Sequence, residues 1–520
     1  MKKQSSFVKA GAVLAVSGVA VKMLSAAYRI PLTRMLGADV MGRYSAVYSM
    51  FMPFFSFATA GISTAVAHFT AQTTSKENSI TAGVRSAALQ LYMSVGALLL
   101  AAYLIFIRLY SVRSQQPVIF WGGLMLAPSI LFAVAENVLK GESQGRVDML
   151  PTAQANVLEG FLKTAVGLLG VWCVKQYSTT AKDAKALAVC FMAVTLSGII
   201  CTVFLLLRCR YKPAEKAVAA KYRIKPAMLL KMSAPIGVSA LAISLANFFD
   251  TAVCLPRIAE IPYTAIVSSF DGASFMGAGD IAMYLFGIWQ GMVLSVFNLA
   301  PAVVASVGSA GLPLISSSWA KKDKSVLERH IRKLFSVTAF LSVPAMAFIF
   351  CFGGDIVQLL FATTSNQTKI AAVLLKIICT GGIMCCFTSA FNSVLFAAGK
   401  SSRVFAILLS ACAVKIVASF VLCGVPSVNI RAFAVSNVCF YTIIFVRSVT
   451  AVKKLGASFE FAHIFGVPFV ASTVAVLLAN WLKATQLYSL PLFIRLFFCG
   501  VIFALIYLLI VICTGFFVDK

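Results

Sequence analysis

Apolar stretches of bilayer length recur along almost the whole chain, near residues 7–28, 45–69, 83–109, 117–138, 151–174, 186–207, 229–253, 281–305, 334–353, 370–396, 403–423, 432–449, 462–482 and 491–517. A hydrocarbon core of about 30 Å takes roughly 20 residues of helix. A backbone inside it must satisfy its own hydrogen bonds, so each stretch predicts an α-helix. The expected fold is therefore an all-α polytopic membrane protein with about fourteen transmembrane helices. Of the 520 residues, 60% are hydrophobic and 12% charged, which leaves no polar stretch long enough for a separate soluble domain.

An even number of spans puts both termini on one side. The basic segments "RCRYKPAEKAVAAKYRIKP" (208–226), "KKDKSVLERHIRKL" (321–334) and "VRSVTAVKKLG" (446–456) fall on the side of Lys2, Lys3 and Lys9. The Lys/Arg bias makes that side cytoplasmic. The formal charge of +27 then reflects orientation and attraction to anionic lipid headgroups, without a nucleic-acid partner. The basic start leads into an apolar run that reaches about Tyr28 without a small-residue cleavage site, and it reads as a retained first span. The loop 208–228 divides six spans from a further six, with two more at the end. The expected organisation is an N-terminal lobe over 1–228, a C-terminal lobe over 229–456 and a final helix pair over 457–520. An internal echo, "AGISTAVAHF" (60–69) against "AGLPLISSSW" (310–319), and a weaker one, "GESQGR" (141–146) against "LFAAGK" (395–400), suggest duplication. Prolines 53, 128, 235, 301, 344 and 468 fall inside spans, where each removes a backbone hydrogen bond.

A charged side chain at membrane depth costs at least about 2.5 kcal/mol and faces a protein interior or a watery cavity. Here these are Lys22, Glu136, Glu159, Lys163, Asp250, Lys376 and Lys415. Lys22 and Arg29 are seven residues apart, about 10 Å along one helix face. With Arg34 and Arg43 they form a basic ladder, unless the arginines reach out to headgroups. Glu159 and Lys163 are an i, i+4 pair in the favourable order. Asp250 reads either as a solvated acid at a helix end or as the partner of a first-lobe arginine.

Enzyme signatures are missing. His68, His330 and His463 are far apart, with no HExxH, no GxSxG and no GxxxxGK[ST]. No metal or cofactor is expected. Fourteen cysteines, scattered and without a CxxC, read as small buried hydrophobes.

The stretch "SGVAVKMLSAAYRIPLTRMLGADVMGRYS" resembles the first span and loop of the SpoVB/MurJ-like branch of the multidrug/oligosaccharidyl-lipid/polysaccharide (MOP) flippase superfamily. Lys22, Arg29, Arg34, Gly37, Ala38, Gly42 and Tyr44 stand at its pattern positions, whereas Ser25 replaces the usual glycine. "AGISTAVAHFTAQ", "VLEGFLK" (157–163), "SAPIGVSALAISLANFFDTAVCLPR" (233–257) and "AVKIV" (413–417) resemble later parts of the same pattern. The resemblance implies two lobes, alternating access and a lipid-linked glycan as cargo. It makes Lys22, Arg29, Arg34, Arg43, Lys163 and Lys415 candidates for the pyrophosphate, and Glu159 and Asp250 candidates for coupling or ion pairing. Envelope-synthesis proteins are possible partners. A cation-coupled multidrug antiporter of the same superfamily remains open, kept so by Glu159 and Asp250. So does a membrane glycan ligase or polymerase using Glu260, Asp271 or Asp280 of the 254–280 loop, or a non-transporting scaffold.

Overall fold

The computed structural model describes residues 2–74, 78–113, 117–178, 181–209, 226–270, 280–321, 323–455, 460–485, 487 and 489–516. Most of the basic segment 208–226, residues 456–459 and Asp271 lie outside the described residues, as do the side chains of Lys2, Lys3 and Lys9. Described regular structure is entirely helical. Seven helices run from α1 to α7: Lys2–Thr59, Ile62–Thr74, Asn78–Arg113, Pro117–Leu126, Ser129–Gly145, Leu150–Tyr177 and Lys182–Arg208. Next come α8 (Pro226–Phe249), a π turn (Asp250–Cys254), α9 (Leu255–Ala259) and α10 (Tyr263–Ser269). After α11 (Ile281–Phe297), the series from α12 to α15 covers Leu299–Ala320, Lys324–Phe361, Ser365–Thr380 and Gly382–Ala397. The last four, α16 to α19, are Ser401–Cys423, Arg431–Lys453, Phe461–Thr485 and Leu492–Cys513.

By length and apolarity, twelve described helices qualify as spans, or thirteen when α14 and α15, bent by 43°, are taken as one. The run 20–72 enters that count once. A helix of 58 residues would reach roughly 90 Å at 1.5 Å per residue, far more than one bilayer. Gly37 breaks it, with φ 77° and ψ 173°, a conformation that only glycine adopts without strain. Taking the run as two spans gives fourteen, but not the fourteen expected: within the predicted span 281–305 the helix Ile281–Phe297 falls short of the length of a span, and Leu299–Ala320 qualifies in its place. Two expected connections prove helical. Residues 29–44 belong to α1, because Arg, Leu, Met and Ala are good helix formers, and 299–320 form α12 instead of a loop after residue 305. Pro53, Pro235, Pro344 and Pro468 lie inside helices, as does Pro31. Pro128 instead occupies the N-cap of α5, and Pro301 stands in the first turn of α12.

The chain forms two compact units, Met1–Thr251 and Ala252–Lys520. In the first, α2 and α3 pack on α5, α1 on α6 and α8, and α6 on α7. In the second, α12 and α13 pack on α15, and α16 on α17. The pairing order is the same in both, and the echoing segments lie on the corresponding helices, 62–69 of the first in α2 after a turn at Ala60 and Gly61, and 310–319 in α12. The hairpin α18–α19 packs on α13 through Phe348, Phe352, Phe503 and Tyr507. Tyr507 donates to the Phe340 carbonyl at 2.8 Å, and Lys483 pairs with Asp355.

Glycines let α5 approach α2. A Cβ on Gly141 would stand 2.6 Å from the Ser63 carbonyl oxygen, and one on Gly145 would stand 2.6 Å from that of Ala67. Neither backbone neighbour can rotate away. Small residues four apart commonly serve this purpose between membrane helices. Gly141→Leu and Gly145→Val are each expected to cost about 1–3 kcal/mol, seen as a lower melting temperature of the purified protein in detergent. Gly466→Ala, where the added Cβ meets nothing within 4 Å, should leave the melting temperature unchanged or raise it.

Candidate functional site

The break at Gly37 divides α1 into a segment carrying Tyr28 and Arg29 and a segment carrying Tyr44 and Tyr48. Tyr28 and Tyr48 meet α6 at Lys163, and Arg29 and Tyr44 are in electrostatic range of that lysine. On α6, Gly160, Lys163 and Gly167 share one face at helical spacing. A Cβ on Gly160 would stand 3.3 Å from Leu24, and one on Gly167 would stand 2.8 Å from the Tyr28 ring. Those two glycines bring α1 close enough for Lys163 to reach its aromatic rings. Lys163 Nζ lies 5.5 Å from the Tyr28 centroid and 5.5 Å from the Tyr48 centroid, within cation–π range of both. Tyr44 stacks on Tyr48 at 6.0 Å and on Phe191 of α7 at 4.9 Å, which closes the wall. Arg29 is in electrostatic range of the same three tyrosines and of Lys163.

A second ionic group adjoins the first. Lys140 Nζ on α5 lies 2.5 Å from Glu136 Oε1 and 3.8 Å from Glu159 Oε2. Glu136 is 3% exposed. The ion pair of Glu159 is therefore with Lys140, while Lys163, one turn further along α6, remains in its electrostatic range. Toward the end of α5, Glu142 is held by Arg85 at 3.7 Å and Arg146 at 3.0 Å. Arg85 also donates to the Cys209 carbonyl at 2.7 Å.

Of the residues expected to form the site, Arg29 and Lys163 come together in the first unit, with Glu159 beside them. Lys22 and Arg34 are exposed on α1. Arg43 pairs with Asp39 at 3.1 Å on the same helix. Asp250 is buried in a π turn between α8 and α9, so it is not a solvated helix end. Lys415 is buried in α16 of the second unit. That unit contains a cavity of about 480 Å³ lined by neutral groups that include Cys385, Thr388, Ser389 and Asn392. Asp280 caps α11 by accepting from the Met283 amide at 3.1 Å, and Glu260 caps the end of α9. All fourteen cysteines are free thiols. Among the described residues no three His, Cys, Asp or Glu side chains gather as a metal site would require.

Sequence reasoning passed over Tyr28, Tyr48 and Lys140. Tyr44 and Tyr48 stand at i, i+4 and so do Glu136 and Lys140, which was the available signal.

The family model for polysaccharide biosynthesis proteins matches residues 7–319, and the MatE model matches residues 252–421. The chain belongs to the polysaccharide biosynthesis protein family and is a SpoVB-like member of the MOP superfamily. It is thus a multi-pass membrane flippase or transporter, of a class that carries its substrate and is not enzymatic. Stage V sporulation protein B of Bacillus subtilis (strain 168) is 22% identical over 523 residues, covering 93% of this chain and 94% of that protein. Among solved structures, the lipid II flippase MurJ in an inward closed conformation matches with a TM-score of 0.68 at 13% identity, covering 98% of each chain. An inward-facing multidrug resistance MATE transporter matches with a TM-score of 0.65 at 13% identity, covering 86% of this chain and all of that one. At these identities the structural likeness establishes the fold.

Among the described residues Lys140 is the cation that bridges the buried Glu136 and Glu159, whose side chain is 41% exposed, so its removal leaves the Glu136 carboxylate buried without its ammonium. Lys140→Met should destabilise the protein by about 3–5 kcal/mol, as breaking a buried ion pair does, while Lys140→Arg should retain most of the stability. Thermal unfolding monitored by size-exclusion chromatography separates the two outcomes.

Proposed function

We propose that this protein moves a lipid-linked oligosaccharide or peptidoglycan precursor, carried on undecaprenyl pyrophosphate, across the cytoplasmic membrane by alternating access. In this reading both termini are cytoplasmic. The lobes are 1–228 and 229–456, followed by the helix pair of 457–520. The pyrophosphate is the part of such a substrate that hydrocarbon rejects. Basic side chains inside the bundle replace its lost water with charge-assisted hydrogen bonds, while the polyprenyl tail stays in lipid.

The observation that carries this reading is the convergence of Arg29 and Lys163 within a wall of tyrosines. Holding two cations at membrane depth is costly, and a visiting anion offsets that cost. The tyrosines present hydroxyls and flat faces, which also suit sugars. Lys22 and Arg34, exposed on the same helix, are assigned to the approach of the headgroup, and Arg43 and Lys415 to supporting positions. Glu159 and Asp250 are assigned to coupling or ion pairing. Anionic lipids and envelope-synthesis proteins are the expected surroundings. A second reading, a cation-coupled multidrug antiporter, draws on the MatE match and on the buried acid Asp250.

The test is a flipping assay in liposomes with fluorescent lipid II and a capsule-type lipid-linked sugar side by side. Wild type should move at least one of them. Arg29→Gln/Lys163→Gln should lower the rate at least about tenfold, the effect of losing roughly 1.4 kcal/mol of interaction, and Lys22→Gln/Arg29→Gln should also slow it. Proton- or sodium-driven efflux of a cationic dye by wild type, with neither lipid moved, would favour the antiporter.

A further inference from the structure

The hairpin of α18 and α19 brings basic side chains to one place in the second unit without the acids to balance them. Lys483, near the end of α18, pairs with Asp355 of α13 and lies 5.5 Å from the centroid of the Phe352 ring. Arg495 stands in the first turn of α19. One turn further on, the buried thiol of Cys499 is in electrostatic range of Lys483, Asp355 and Arg495 together. On α13, Cys351 is in range of Lys483 and also of Lys376 from α14. A Cβ on Gly353 would stand 2.9 Å from Leu375, so α14 runs close enough along α13 to bring Lys376 there. Three cations therefore share one carboxylate.

The later part of the chain does not supply the missing charge. After Asp355 the sequence holds two more acids: Glu460 comes 23 residues before Lys483, and Asp519 comes 24 residues after Arg495. At 1.5 Å per residue, α18 separates Glu460 from Lys483 by roughly 35 Å. Among the described residues neither Arg495 nor Lys376 takes part in an ion pair. The Nε of Arg495 is buried and has no hydrogen-bond partner. Cations held in this way on membrane helices are costly, and an anion from outside the protein offsets the cost.

The position of the group selects the anion. It adjoins the connection between α18 and α19, at the end of the hairpin remote from the basic segment 446–456. Trp481, Phe493 and Phe497 are exposed on the same two helix ends, and tryptophan marks the level at which headgroups meet acyl chains. A phosphate at that level belongs to a phospholipid. A zwitterionic headgroup would bring its own cation against Lys376 and Lys483, whereas phosphatidylglycerol brings a phosphate and neutral hydroxyls.

We infer that Arg495 and Lys483, assisted by Lys376, bind the phosphate of an anionic phospholipid whose acyl chains lie on the exposed apolar faces of α18 and α19. Arg495 supplies guanidinium N–H donors, and Lys483 supplies the ammonium donors that Asp355 leaves free, in charge-assisted hydrogen bonds. The bound lipid clamps the hairpin to α13, because its phosphate joins a residue of α19 to the pair that already links α18 with α13. Such a lipid is a resident of the fold, and its site does not depend on the cargo proposed above.

The test uses purified full-length protein in detergent with added dioleoyl phosphatidylglycerol, dioleoyl phosphatidylcholine or inorganic phosphate, and reads thermal unfolding and the lipid retained in native mass spectra. Wild type should unfold at a higher temperature with phosphatidylglycerol than with phosphatidylcholine, because a ligand of the native state stabilises it. Arg495→Gln/Lys376→Gln, which leaves the Lys483–Asp355 pair in place, should bind phosphatidylglycerol at least about tenfold more weakly. Lys400→Gln/Arg403→Gln, at exposed cations beside the start of α16, should bind it as wild type does. Undiminished binding by the first double variant would overturn the inference. Equal effects of the two lipids on wild type, or equal losses in the two double variants, would reduce the attraction to general surface charge and overturn it as well. Stabilisation to the same extent by inorganic phosphate alone would overturn the lipid as occupant. So would displacement of phosphatidylglycerol by an equimolar prenyl diphosphate sugar, which would give the site to the carried substrate. If the first double variant does not fold, Arg495→Gln alone takes its place, with the same expected loss, beside the wild-type comparison of lipids.

Discussion

A cation inside hydrocarbon must have a partner, and much of the first unit is arranged around that requirement. Lys163 lies over the rings of Tyr28 and Tyr48 and in electrostatic range of Glu159, Arg29 is in electrostatic range of the same tyrosines, and in the proposed cycle a visiting anion joins them. The packing follows from this need. Glycines on α6 bring α1 near, the break at Gly37 lets one long run supply side chains from two segments, and α5 contributes Glu136 and Lys140 from the far side.

The two units solve one packing problem with different chemistry. Each sets a helix containing one of the echoing segments against a helix that gives way at small residues. Gly141 and Gly145 do this in the first unit, and Ser389 and Ser393 do it in the second, donating to the carbonyls of Ala305 and Gly308. The first unit lines its interior with charge and tyrosine. The second has a cavity with a neutral, hydroxyl-bearing and apolar lining. The cations that the proposed function assigns to the phosphates, Arg29 and Lys163, belong to the first unit, whose helices also contain the stretch that most resembles the flippase pattern.

Much of the fold was legible because hydrocarbon imposes a long apolar period that few other structures share. The limits came where physics acts across distance in sequence. Residues 29–44 and 306–320 look like connections because they hold arginine, or small residues and proline, yet both continue as helix against neighbouring elements. At the candidate site, Lys163 could be chosen because a charge within a span is conspicuous, and Arg29 from its seven-residue spacing to Lys22 and from the family pattern. Tyr28 and Tyr48 could not, because an aromatic residue in a span is ordinarily packing. Asp250 was legible as an unusual acid, but its burial in a π turn depends on the helix running on to Ala259. The partner of Glu159 was read as Lys163 from spacing on one helix; the nearer ammonium belongs to another helix, which no local pattern reveals.

The most direct test of the central claim is an experimental structure of the protein with a doubly esterified prenyl diphosphate bound. The account predicts phosphate oxygens within about 3 Å of the Arg29 guanidinium and the Lys163 ammonium, as charge-assisted hydrogen bonds require, with the sugar against Tyr44 or Tyr48. A diphosphate bound elsewhere, with Arg29 and Lys163 still facing only their tyrosines and Glu159, would contradict it.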